Sequence, residues 1–196
     1  MRPGTSNCTV SGLQFWPLDP RPEEVDIGDI AHALSNVCRY GGHVREFYSV
    51  AEHSVRVAHF LADNIVGEDA KGRETIRRLT LTGLLHDAGE AYIGDMTRPL
   101  KRCAGMEEFA RIEGRIYTVI AQKYGCMDPL PPAVALADDV LLVTEVRDLH
   151  PALHARPDCL RAYADVTPLP EMIFPWPPQY AKRLFMEMFR KLGGAS

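Results

Sequence analysis

Between Gly83 and Asp95 the chain reads Gly-Leu-Leu-His-Asp-Ala-Gly-Glu-Ala-Tyr-Ile-Gly-Asp. An imidazole and a carboxylate, His86 and Asp87, stand side by side directly after apolar residues, and Glu90 and Asp95 follow closely. Burying that much anionic charge is costly unless a cation compensates it. The residue types point to a metal site with acids left over to move protons. Other ionisable residues fall on apolar faces elsewhere in the chain. His53 lies three residues after Val50 and four before Val57, and the Asp138-Asp139 pair lies late in the sequence. Two imidazoles and two carboxylates suit a divalent transition metal such as Mn, Co, Ni, Fe or Zn. Asp138 and Asp139 have equally good helical spacing with the surrounding apolar residues, so spacing alone leaves the last ligand open between them.

Helices must hold these residues. A first helix starts from Asp26, with Ile27, Ile30, Ala31 and Leu34 on one face, and ends before Gly41-Gly42. Ser49-Val50-Ala51-Glu52 has the form of a capping box and starts a second helix, which points His53 inward. A loop over 67–73 leads to a third, carrying Ile76, Leu79 and Gly83 and running on through His86, Asp87 and Glu90 to a stop at Gly94. Asp95 then opens a loop through Arg98-Pro99-Leu100-Lys101. A fourth helix has Phe109, Ile112, Ile116, Val119 and Ile120 inward and ends near Gly125. A fifth starts with Pro132 and passes Asp138 to about Leu149. Residues 151–178 are proline-rich and irregular, and a last helix over 179–192 turns Ala181, Leu184, Phe185, Met188 and Leu192 inward. No run alternates with a period of two, so the expected class is all-α, a helical bundle in one domain. Residues 1–14 are expected to be a loose N-terminal segment, with Phe15-Trp16 docked by its aromatics and the domain occupying 15–196.

Composition narrows the partners. The 196 residues carry a net charge of −4 and no long basic run, which argues against a duplex nucleic acid ligand. A small phosphorylated ligand needs only a few cations. The five cysteines are an odd number, widely spaced and without a CxxC pair, so a disulfide framework or zinc ribbon is not expected. With no apolar leader and no membrane-length apolar run, the expected location is the cytoplasm.

His53, the His86-Asp87 pair and a late Ala137-Asp138 together resemble the HD-domain phosphohydrolases, whose signature is a His, a His-Asp pair and a late Asp. His-Asp-Ala-x-Glu-x-x-x-Gly-Asp followed by Pro-Leu-Lys is similar to the branch that holds bacterial 5′-deoxynucleotidase and a phage dATP triphosphohydrolase. The resemblance implies an all-α HD-domain bundle, one divalent metal ion (Mn, Co, Ni, Fe, Zn or Mg) and a nucleotide substrate. It also implies a homo-oligomer, a dimer or hexamer. Carried over by position, His53, His86, Asp87 and Asp138 would bind the metal, the register favouring Asp138 over Asp139. Glu90 would orient or deprotonate the attacking water, and Asp95 would protonate the leaving 5′-oxygen. Arg39 and Lys101 match positions that hold substrate phosphates, and Tyr40 one near the base or sugar. The segments around Ile27–Ser35 and Tyr48–Val50 look closer to the phage type, which implies dATP cleaved to deoxyadenosine and triphosphate. The alternatives are a 5′-deoxynucleoside monophosphatase and, in another class, a non-catalytic metal- and nucleotide-binding sensor.

Overall fold

The computed structural model describes residues 2–65, 69–156 and 158–193. Its helices are α1 (Ile27–Asn36), α2 (Val50–Asn64), α3 (Ala70–Leu85), α4 (Glu90–Ile93), α5 (Arg98–Lys101), α6 (Glu107–Tyr124), α7 (Pro132–Leu149), α8 (Pro151–His154) and α9 (Pro178–Lys191). The fold is all-α, with one exception: β1 (Asn7–Cys8) pairs antiparallel with β2 (Gln14–Phe15).

The second helix is the axis of the bundle. It packs against α1, α3, α7 and α9. Val50 to Val55, Val57, Ala58 and Leu61 are all buried, so its N-terminal two turns meet protein on every side. A helix covered all round must satisfy any polar group it carries within the protein. That condition fixes what Glu52 and His53 can do. Ser49 caps α2 by accepting from the Glu52 amide at 3.1 Å. The Glu52 carboxylate does not return the favour expected of a capping box. It accepts from Arg56 and, at 2.7 Å, from the backbone N–H of Trp176. It thereby pins the stretch that leads into α9.

The close approach of α2 and α3 depends on Gly83. A Cβ there would stand 2.3 Å from Leu61 Cδ1 and 3.3 Å from Val57 Cγ1. Two hydrophobic clusters flank α2. One joins Phe15, α1, α3, α6 and α9, and the other joins Tyr48, Val57 and Leu61 to Val134, Ala137, Leu141 and Leu149 of α7.

The structure departs from the sequence reading in several places. Helix α3 ends at Leu85; His86 to Gly89 form a tight turn before α4 begins. The Ala88 amide reaches Leu85 O and the Glu90 amide reaches Asp87 O, each at 3.0 Å, so i→i+3 bonds replace the helical ladder there. Gly94 does end the segment, with φ 81°. Of the 67–73 loop, the part from Ala70 is helical, and 66–68 lie outside the described residues. Arg98 to Lys101 form a helical turn rather than a loop. The N-terminal segment is largely exposed and makes contacts with the bundle. Ser11 bonds Asp29 through both its amide and its hydroxyl, Asn7 Nδ2 donates to Tyr92 O at 3.1 Å, and Arg2 pairs with Asp19 and Glu24. The Phe15 ring, fully buried, stacks on Tyr92 at 3.7 Å between centroids.

Candidate metal centre and active site

Three helices deliver ionisable groups to one point. His53 comes from the second turn of α2, His86 from the turn after α3, and Asp138 from the middle of α7. One ligand atom of each lies within 4.8 Å of the others. The two imidazole rings are 5.3 Å apart between centroids. Asp87 Oδ2 joins them, 3.1 Å from His86 Nε2 and 3.8 Å from His53 Nε2. Asp138 Oδ1 is 3.2 Å from His53 Nε2.

The outer nitrogens are held and the inner ones are not. His86 Nδ1 donates to Gly83 O at 2.7 Å, and His53 Nδ1 donates to Glu145 Oε1 at 2.5 Å. His53 Nε2 and His86 Nε2 are buried and, among the described residues, lack a partner with hydrogen-bond geometry, though carboxylates stand close by. A buried imidazole nitrogen without a partner is costly. Two of them converging on carboxylate oxygens form the donor set of a divalent metal, and an orienting bond on each outer nitrogen is the usual support for histidine ligands. The chain's residues therefore fit a metal ion.

The four candidate ligands feel one another strongly. Burial acts to raise Asp87 and Asp138, but the neighbouring imidazoles outweigh it and hold both carboxyls well below the ordinary range. Burial and Arg39 pull His53 down, but Glu145 and Asp138 outweigh them and raise it to about 9. Glu90 and Asp95 are displaced in the opposite direction. Burial, then the charges of Asp87 and Asp95, push Glu90 up to about 10 against the pull of Lys101. Burial also raises Asp95, with Asp87 adding to it and Arg39 and Lys101 opposing. Glu90 is buried, and among the described residues its Oε2 has no hydrogen-bond partner.

The expected phosphate-side residues are present but engaged. Arg39 is buried, its Nε donating to Glu145 Oε2 at 3.1 Å and its Nη1 lying 3.6 Å from Asp87 Oδ2. Tyr40 sits at φ 58°, a left-handed conformation that side chains rarely adopt, and its hydroxyl donates to Glu145 Oε2 at 2.7 Å. Lys101 Nζ bridges Glu90 at 3.1 Å and Glu113 of α6 at 2.7 Å. The paired acids on α7 divide: Asp138 turns Oδ1 toward His53 and Oδ2 toward Arg98, whereas Asp139 pairs with Arg98 at 3.0 Å.

The sequence reading assigned no role to Glu145, Tyr48, Glu113 or Tyr163. Glu145 is fully buried and accepts from His53, Arg39, Tyr40 and the Tyr48 hydroxyl. Burial tends to raise its pKa, but Arg39 and His53 outweigh this and hold it down to about 2. The signal was available: Glu145 lies seven residues after Asp138, two turns along the same face of α7.

An HD domain model matches residues 50–151, over half of the chain, so the protein belongs to the HD domain family. That domain indicates a metal-dependent phosphohydrolase. The chain is 34% identical over 186 residues to a protein of Escherichia coli (strain K12) described as uncharacterized protein YfdR, covering 94% of this chain and 93% of the relative. It is also 34% identical over 130 residues to an uncharacterized protein of Rhodobacter capsulatus, covering 65% of this chain and 62% of that one. Among the described residues no helix is long and apolar enough to cross a membrane.

Proposed function

We propose that the protein hydrolyses nucleotides, with His53, His86, Asp87 and Asp138 holding one divalent metal ion. The observation that carries this is the pair of buried, unpartnered imidazole nitrogens converging with Asp138. A cation bound there would supply Lewis-acid polarisation of a phosphoryl oxygen and a water acidic enough to attack near neutral pH.

The remaining steps belong to side chains. Glu90 lies beside Asp87 in sequence and field, and in the doubly acidic surroundings its carboxyl holds a proton tightly. With a cation held by those ligands, much of that local charge would be offset, and Glu90 would be the group placed to take the proton of the attacking water. Asp95, also raised, donates to the 5′-oxygen as the P–O5′ bond breaks. Arg39 supplies a fork toward the phosphate from the Asp87 side, and Tyr40 lies against Arg39 where the sugar or base would rest. Lys101, tied to Glu90, adds positive charge between the acid and the incoming phosphate.

The leading substrate is a deoxynucleoside triphosphate, dATP giving deoxyadenosine and triphosphate. A monophosphate is the second reading, and one observation favours it: Arg39, Arg98 and Lys101 are each already paired with carboxylates, leaving little positive charge for a long phosphate chain. Incubating the protein with each NTP, dNTP and monophosphate in Mn, Co, Mg or Zn, and identifying the phosphate released, separates these readings. Triphosphate as product supports the first and orthophosphate from monophosphates the second. Metal uptake without turnover on any nucleotide would replace both with a sensor. Assembly into a dimer or hexamer and residence in the cytoplasm belong to the same proposal; sedimentation tests the first.

A further inference from the structure

Adjacent acids on one helix rarely do the same work, and Asp138 and Asp139 show a division with a consequence. The two oxygens of Asp138 face different ways: Oδ1 stands 3.2 Å from His53 Nε2, while Oδ2 contacts the Arg98 guanidinium. Arg98 is itself fixed at its other nitrogen. Its Nη1 donates to Asp139 Oδ1 at 3.0 Å and to the Tyr163 hydroxyl at 2.8 Å. Three separate parts of the chain thus meet on one guanidinium: α5, α7 and the 3-10 turn Arg161–Tyr163 inside the proline-rich connection. The arrangement is half-buried, with the Arg98 side chain 32% exposed and that of Asp138 20%.

Resting on the metal-centre reading above, we infer that Arg98, clasped by Asp139 and Tyr163, is a positioning residue that reserves one oxygen of Asp138 and makes it a one-oxygen metal ligand. A planar guanidinium that already occupies Oδ2 blocks the carboxylate from turning both oxygens toward the histidines. A carboxylate held to one oxygen favours small ions of low coordination number. One free to chelate favours larger ions with six to eight oxygen ligands. Arg98 therefore selects the kind of metal the site keeps. Asp139, which sequence spacing could not tell from Asp138, acts through Arg98 and not at the metal.

Calorimetric titration with Mn2+ and with Ca2+ tests this on the whole protein, with no substrate present. Arg98→Ala is expected to shift the Ca2+/Mn2+ affinity ratio about tenfold toward Ca2+, the scale on which groups behind metal ligands act. Arg98→Lys, which keeps the charge but loses the fork, is expected to fall between the variant and wild type. Tyr163→Phe removes one hydrogen bond, leaves both carboxylates in place, and is expected to move the ratio the same way by a smaller factor. It decides the matter if Arg98→Ala fails to fold. An unchanged ratio in the folded variants, with metal still binding, overturns the inference alone. A wild-type protein that takes up no divalent ion of any kind overturns the metal-centre reading and this inference with it.

Discussion

The two halves of the site carry carboxylates of the same chemistry in opposite states. Asp87 and Asp138 lie against two imidazoles and are held strongly ionised. Glu90 and Asp95, a few residues further along, are raised by burial and by neighbouring acids, which outweigh the pull of Arg39 and Lys101. Groups displaced apart in this way are suited to different work: the first pair to hold a cation, the second to hold and release protons. The two ends also differ in how they are built. The histidine end sits on α2, the turn after α3, and α7. The acid end sits on the short α4, the turn after Gly94 and α5.

If that division is right, breaking the histidine end removes both the metal and the activity. Chelation should abolish hydrolysis and added metal should restore it. Asp87→Ala should lose bound metal, measured by elemental analysis, and lower turnover about 10³-fold, the scale of several kcal/mol of charge stabilisation. Undiminished hydrolysis by Asp87→Ala with metal still bound would end the assignment.

The acid end should behave differently. Glu90→Gln should keep its metal while kcat falls by about 10²- to 10⁴-fold. Equal loss of metal would mean that Glu90 is a ligand and that the two ends are one.

Glu145 tests the support of the histidine end. Glu145→Gln should weaken metal binding about 10- to 100-fold, because His53 loses the charged partner on its outer nitrogen. It also leaves Arg39 without its buried counter-charge, so stability should drop as well. The sign with pH follows from a folded pKa near 2 against an ordinary 4.5. The stability Glu145 contributes is present above about 4.5 and is lost as pH falls toward 2. Urea unfolding of wild type and variant across that window should show their difference shrink; a constant difference would contradict the assignment.

The smallest effect is expected at Gly83. Gly83→Ala should cost about 1–3 kcal/mol by overpacking Leu61 and Val57. Because it parts α2 from α3, metal affinity should weaken while the Glu90 end is spared. A thermal melt with a parallel metal titration checks both.

Much of this was legible in the chain. Helical spacing turned His53 inward, and the apolar run before His86-Asp87 marked them as turned toward the interior, where both are half-buried, because an apolar face obliges its ionisable residues to find partners. The cap at Ser49 and the stops at Gly94 and Gly125 were local signals, and each appears in the structure. Local signals misplaced what long-range contacts control. Glu52 had a cap's spacing, yet the Trp176 amide, distant in sequence, claims its carboxylate. The 1–14 segment lacked periodicity, yet its hydrogen bonds to Asp29 and Tyr92 hold it.

By itself the sequence determined the class of fold, the family and the residue types that gather at the centre, since periodicity and motif are properties of neighbours along the chain. Only the tertiary structure decided how those residues divide. It set Asp138 against His53 and Asp139 against Arg98, and placed Glu145 behind the histidine. Two adjacent carboxylates on a helix are chemically alike in sequence; what stands opposite each one, brought from another part of the chain, sets one between His53 and Arg98 and the other against Arg98.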